Sequence, residues 1–181
     1  MAAIAHMIVS NAKAAQILRQ HGVHAATDVT GFGLIGHLIE MVRASDVDAT
    51  LAIDRLPLLE GARESVARGI FSSLQPQNVR LRRAIRELAT VAEHPLYPML
   101  FDPQTSGGLL AAVPLAEAEP CVAALRAAGY AAAAIIGFVA ERSDVLEPVT
   151  VDLNGEQVAR ALARFTSNRR SSRAAANIAS R

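Results

Sequence analysis

Two short stretches of this 181-residue sequence hold most of the residues that could do chemistry together. The first is Thr27-Asp28-Val29-Thr30-Gly31-Phe32-Gly33-Leu34, which runs off a short apolar segment into a helical pattern. Asp28 stands at the carboxyl end of a predicted strand, where ligand sites open in sheets of this kind. Gly31 and Gly33 allow a tight turn and close backbone approach by an anion. The helix starting near Leu34 adds unpaired N–H groups and a partial positive charge at the same place. A carboxylate beside such a cradle suits Mg²⁺, a hard cation that takes oxygen ligands from one or two carboxylates and from a substrate's phosphates. Asp28 is then the candidate metal ligand, with Thr27, Thr30, Gly31 and Gly33 as candidate phosphate-loop residues. A local reading stays open beside it: Asp28 and Thr30 could form an Asx or Ser/Thr turn that caps the helix, the glycines serving turn geometry alone.

The second stretch is Asp102-Pro103-Gln104-Thr105-Ser106-Gly107-Gly108, placed just before an apolar strand pattern. Asp102, Gln104, Thr105, Ser106, Gly107 and Gly108 supply a carboxylate, an amide, two hydroxyls and flexible backbone within seven residues. A turn could also use all of these groups locally. His37 follows the first stretch by one helical turn and could face a phosphate or satisfy a core hydrogen bond. Glu40, three positions on, reads as its helical neighbour. Cys121 lies in the apolar pattern of a late helix, with nothing nearby to activate it, and reads as a structural thiol.

The elements that would position these loops follow from periodicity and punctuation. Residues 2 to about 20 predict an amphipathic helix stopped by Gly22, Val23 to Val29 a strand, and Leu34 to Ala44 a helix with Leu34, Leu38 and Met41 on one face. Ala49 to Ile53 predicts a strand, Leu58 to Arg68 a helix closed by Gly69, Ile70 to Asn78 a long loop, and Val79 to Glu93 a helix. Leu109 to Val113, Ala131 to Val139 and Val149 to Leu153 predict strands, with a helix from Leu115 to Ala128 ended by Gly129. The expected class is α/β or α+β, a mixed sheet of four or five strands between helix layers. Residues 1–154 form the expected domain. Residues 155–181 are expected to be a C-terminal helix and a disordered basic tail, because Arg169, Arg170, Arg173 and Arg181 stand among Ser, Asn and Ala with no acid.

Composition narrows the function classes. With 51% hydrophobic and 19% charged residues the chain can bury a core, and a net charge of +1 gives no global field toward nucleic acid or an anionic membrane. Aromatics at 4% and no Trp leave little for base-stacking platforms. One cysteine excludes an internal disulfide and a Cys-rich zinc site. No apolar run approaches the roughly 18 residues of a membrane span, so a soluble, cytoplasmic protein is expected.

The stretches from Thr27 to His37 and from Asp102 to Leu110 closely resemble, in order and separation, the two signatures of the C-terminal domain of selenide, water dikinases (selenophosphate synthetases). Met7, Asn11, Ala15 and Asn78 fit as well, and the resemblance covers roughly residues 5 to 153. It places the chain in the superfamily of aminoimidazole ribonucleotide synthetase, thiamine-monophosphate kinase and the hydrogenase-maturation dehydratase. Phe32 between the glycines, Gly36-His37 and the Gln104-to-Gly108 run point to the selenium branch. The resemblance implies an enzyme that makes selenophosphate, AMP and phosphate from ATP, selenide and water, with Mg²⁺ bound in part by Asp28, in a homodimer. It also implies that the catalytic Cys or selenocysteine, its Lys, the nucleotide loop and the other metal-binding aspartates belong to an N-terminal domain that this sequence does not contain. The chain then reads as a fragment, a truncated product or one piece of a split or fused protein, inactive alone. A related ATP-dependent synthetase or kinase, and a stand-alone binding module, are the alternatives.

Overall fold

The computed structural model describes residues 2–164; the basic tail lies outside the described residues. The class is mixed α/β, and the five strands form two sheets rather than one. β1 (Ala25–Asp28) pairs antiparallel with β3 (Leu109–Ala112), while β2 (Val47–Ala52) is central between antiparallel β4 (Gly137–Glu141) and parallel β5 (Val149–Asp152).

The longest helix, α3 (Gly33–Ala44), joins these units. Its Ile35, Leu38, Ile39 and Val42 recur at i, i+3, i+4 and i+7, and this face is buried against Ala49 and Leu51 of β2, Val149 and Val151 of β5, and Leu100 and Phe101. Phe101 and Leu100 are fully buried, each worth about 1.5–3 kcal/mol of transfer free energy. β3 serves two cores because successive side chains alternate across a strand. Leu110 packs on the main core, while Leu109 and Ala111 pack with Ile17, Leu18 and Cys121 of the helices α2 (Ala12–Gln20) and α7 (Ala118–Ala127).

Several boundaries differ from the sequence expectation, each for a local reason. The leading helix is two helices, α1 (Ala2–Met7) and α2, because groups from elsewhere take backbone carbonyls at the break. The Ser106 hydroxyl donates to the Met7 carbonyl at 3.1 Å and the Tyr130 hydroxyl to that of Ser10 at 2.8 Å. The expected helix over 79–93 is a 3₁₀ segment, Val79–Ala84, and a short helix, α6 (Leu88–Ala92). Between them Ile85 bridges to Val149, the Arg86 amide donates to the Val149 carbonyl, and Glu87 turns to φ 50°. The strand expected over 131–139 starts only at Gly137, where a Cβ would meet the Thr50 carbonyl oxygen at 2.2 Å, so the closest approach to β2 requires glycine.

The expected helix at 58–68 shortens to α4 (Ala62–Ala67), closed by Gly69 at φ 71°. The expected loop at 70–78 contains a short helix, α5 (Gln75–Asn78). A helical segment over residues 156–164 closes the described chain, with Val158 fully buried and its amide held by the Asp152 carboxylate at 3.1 Å.

Candidate functional site

The antiparallel register brings the two loops to one edge. Asp28, the last residue of β1, lies opposite Leu109, the first residue of β3, so the first loop leaves the sheet where the second enters it. The pairing continues past the strands: the Val29 amide donates to the Gly108 carbonyl at 3.0 Å, and the Gln104 amide to the Thr30 carbonyl at 3.0 Å. Residues about 75 positions apart thus share a continuous ledge of backbone.

Two glycines make that fit possible. A Cβ at Gly107 would sit 2.1 Å from the Val29 carbonyl oxygen. Gly33 has φ +68°, and a Cβ there would meet the Phe101 carbonyl carbon at 2.8 Å and the Asp102 oxygen at 3.1 Å. Gly31 and Gly108 differ. Neither has positive φ, and an added Cβ would meet nothing within 4 Å at either. Both are exposed, and they flank Asp28 in the ledge.

Two asparagines lock the ledge to the fold. The buried Asn78 amide donates to the Gly31 carbonyl at 2.8 Å and to the Phe101 carbonyl at 3.0 Å, tying the first loop to the segment that feeds the second. The Asn11 amide donates to the Gly107 carbonyl at 3.1 Å from the start of α2. Sequence reading gave neither asparagine a role. The available signal was that both fit the family resemblance.

The candidate residues divide by what the fold asks of them. The Asp28 carboxylate is exposed and makes no hydrogen bond or ion pair among the described residues, and the first residue of α3 is preceded by Phe32 with no side-chain cap. Asp28 and Thr30 do not form the capping turn that the local reading required; the Thr27 hydroxyl turns instead to the Asp28 carbonyl at 3.1 Å. Asp102 is half-buried, and its carboxylate accepts from the Gln104 amide at 2.9 Å. Burial pushes the Asp102 carboxyl above its ordinary range, opposed by that hydrogen bond. Thr105 is exposed, and the exposed Ser106 is the one whose hydroxyl reaches Met7.

The anion cradle is narrower than the sequence suggested. The amides of Val29, Thr30 and Gly33 are taken by Gly108, His37 and the Thr30 carbonyl respectively. What remains of the first loop for a ligand is the exposed Gly31–Phe32 backbone, since Gly33, Ile35 and Gly36 in the first turn of α3 are buried. Among the described residues no three His, Cys, Asp or Glu side chains gather into a metal-binding group. Asp28 therefore offers one carboxylate, and further ligands for a cation would come from a substrate or from another part of the protein.

Cys121 and Asp48 serve the fold. Cys121 is 2% exposed, and burial, reinforced by Glu117, pushes its thiol up, away from the reactive thiolate. Asp48, which the sequence reading passed over, is buried on β2 between Arg86, Arg142 and Ser143. Burial alone would raise its carboxyl, but the bonds from Ser143, Arg142 and Arg86 override that and hold it well below the usual carboxylate range. This network pins β2 to Arg86 and to the turn after β4; it lies away from the ledge. No helix among the described residues is long and apolar enough to cross a membrane.

Comparison with known proteins bears on the same stretch of chain. Residues 2–147 match the family described as AIR synthase related protein, C-terminal domain. A selenide, water dikinase of Pelobacter propionicus is 38% identical over 82% of this chain and 42% of its own length. Those of Caldanaerobacter subterraneus and Burkholderia cenocepacia are 37% and 38% identical over 74% and 72% of this chain, and 39% and 37% of their own lengths. The chain thus spans about two fifths of the curated relatives it matches. With both loops, their register and the family match in agreement, this chain belongs to the AIR synthase related proteins and corresponds to their C-terminal domain.

Proposed function

We propose that the chain acts as the C-terminal domain of a selenide, water dikinase, an ATP-dependent phosphotransferase that uses selenide, and that its ledge receives Mg²⁺-bound ATP phosphates. The observation that carries this reading is the exposed Asp28 carboxylate, without a partner among the described residues and flanked by Gly31 and Gly108, two glycines that the fold itself does not require. Open space over backbone, next to a free oxygen ligand, is the surface that a phosphate chain with a hard cation fits. When bound, Mg²⁺ would neutralise charge on the transferred and leaving phosphate oxygens.

The residues of this chain then have separable tasks. Asp28 holds the cation. Thr30, Gly31, Thr105 and Gly108 line the edge that faces the phosphates, with Thr27, Gly33, Asp102, Gln104, Ser106 and Gly107 holding that edge in shape. The nucleophile and remaining metal ligands come from an N-terminal domain of the same enzyme, which as a whole works as a homodimer. Residues 1–154 are the domain that docks there, with the helical segment over residues 156–164 appended to it. The 37–38% identity to proteins named for this activity, over 72–82% of the chain, favours selenide over other acceptors.

The test is a chimera in which this chain replaces the matching portion of the Pelobacter propionicus relative. It is expected to form AMP from ATP in a selenide-dependent way. Asp28→Asn should lower magnesium-dependent turnover on the order of a hundredfold, the scale of lost positioning and electrostatic interactions, with thermal stability unchanged because the carboxylate holds nothing in the fold. Normal turnover of Asp28→Asn at limiting magnesium would refute the metal role, and AMP formation indifferent to selenide would point to a related synthetase.

A further inference from the structure

His37 sits in the second turn of α3 and is 6% exposed. Its Nε2 lies 3.0 Å from the Thr30 backbone nitrogen and 3.2 Å from the Thr30 hydroxyl. A backbone N–H can only donate, so Nε2 is the bare, accepting nitrogen, and the proton of the neutral ring is on Nδ1. Among the described residues, Nδ1 is fully buried without a hydrogen-bond partner, and the Glu40 Oε2 carboxylate oxygen is 3.6 Å away. That distance is too long for a hydrogen bond, yet it places negative charge beside Nδ1–H and so favours this tautomer. The ring is also packed against Phe32, centroids 5.6 Å apart. Neither nitrogen faces the open edge, so His37 does not touch a phosphate bound there.

We propose that His37 is a positioning residue for the first loop, acting through the Thr30 amide on the placement of Asp28. The inference rests on the reading of Asp28 given above. The Thr30 backbone is where the loops are tied: its amide is held by His37 and its carbonyl by the Gln104 amide. Two residues before it, Asp28 has no side-chain contact of its own among the described residues to fix its direction. Its aim therefore depends on the backbone that His37 fixes from beneath. Without Nε2, the half-buried Thr30 amide loses its acceptor, and the loop has reason to turn it outward to water.

Nitrogen-detected NMR on the full ¹⁵N-labelled chain tests the geometry without any activity. A protonated Nδ1 and bare Nε2 are expected, with a Thr30 amide that exchanges slowly. His37→Leu, which keeps bulk and removes the acceptor, should speed Thr30 exchange at least tenfold. His37→Gln, whose Oε1 reaches the place of Nε2, should restore most of the protection. In the chimera His37→Leu should reduce kcat and raise the magnesium requirement, with rescue by His37→Gln, a pattern that a general loss of stability would not give. A protonated Nε2, or Thr30 exchange equally fast in wild type and His37→Leu, overturns the inference even if the chimera is inactive or His37→Leu fails to fold. If Asp28→Asn impairs the chimera while His37→Leu turns over normally at limiting magnesium, the positioning role is wrong and the function of Asp28 stands.

Discussion

Asn78 is the side chain whose loss should damage the candidate site most while lying outside it. Its amide nitrogen donates to Gly31 and to Phe101, and the site's two loops meet the rest of the fold at those carbonyls. Asn78→Ala removes two hydrogen bonds, each worth about 0.5–1.5 kcal/mol net, and leaves the carbonyl of the fully buried Phe101 without this donor, which costs about 1–3 kcal/mol. The expected loss is about 3 kcal/mol, or a fall in Tm of roughly 6–12 °C at about 2–4 °C per kcal/mol for a domain of this size. Asn78→Asp sharpens the test. The new carboxylate sets lone pairs against two carbonyl oxygens, so burial and repulsion would raise its folded pKa above the unfolded value near 4. A raised carboxyl pKa binds more protons in the folded state, so this variant should gain stability relative to wild type as pH falls through that raised pKa. Urea denaturation of the chain from pH 7 to pH 4 measures both variants. Loss below about 0.5 kcal/mol in Asn78→Ala, within the range of ordinary surface changes, would refute the account of Asn78 as the clasp between the loops.

The ledge glycines and the Asp48 network should respond to substitution in distinct ways. Gly107→Ala forces a Cβ to 2.1 Å from the Val29 carbonyl oxygen and should cost about 1–3 kcal/mol or more; Gly31→Ala meets nothing within 4 Å and should leave stability within about 0.5 kcal/mol while slowing turnover of the chimera, so equal effects of the two on denaturation would contradict the ledge geometry. Asp48→Asn should remove an acid-linked part of the stability: a carboxyl held low in the folded state stabilises above the ordinary range near pH 4 and loses that contribution as pH falls further, so wild type and variant should converge in acid denaturation, and parallel curves would show that the network does not depend on that charge.

The order of elements and the two loops were legible because their signals are local. Apolar spacing marks α3, small branched residues mark β1 and β3, and the density of Gly, Asp, Thr and Ser marks the loops. Where reading failed, the deciding contact came from far along the chain. Val79 to Glu93 has a good helical stripe, but Ile85 and Arg86 leave it to reach Val149 and Asp48, 64 and 38 residues away. Nothing in a fifteen-residue window carries that information. The alanine-rich run before Gly137 fails similarly, since the start of β4 is set by where β2 allows a backbone to approach.

The site shows the same division more finely. Sequence could mark Asp28, Gly31 and Gly33 as one motif, but not that the two glycines have opposite reasons to be there. Gly33 is demanded by the fold, through positive φ and the backbone of Phe101 and Asp102 pressed against it. Gly31 is not, and so its lack of a side chain points outward, toward whatever approaches Asp28. The same logic separates Gly107 from Gly108 in the second loop. Asn78, Asn11, His37 and Gln104 all hold the ledge by its backbone, and among the described residues Asp28 is left free at the edge. A fold using Asp28 for its own stability would have paired it, as it pairs Asp48 and Asp152. A backbone tied down at several points and carrying one carboxylate unpaired among the described residues is what a domain needs if its share of a metal site is a single ligand, held ready for ligands that come from elsewhere.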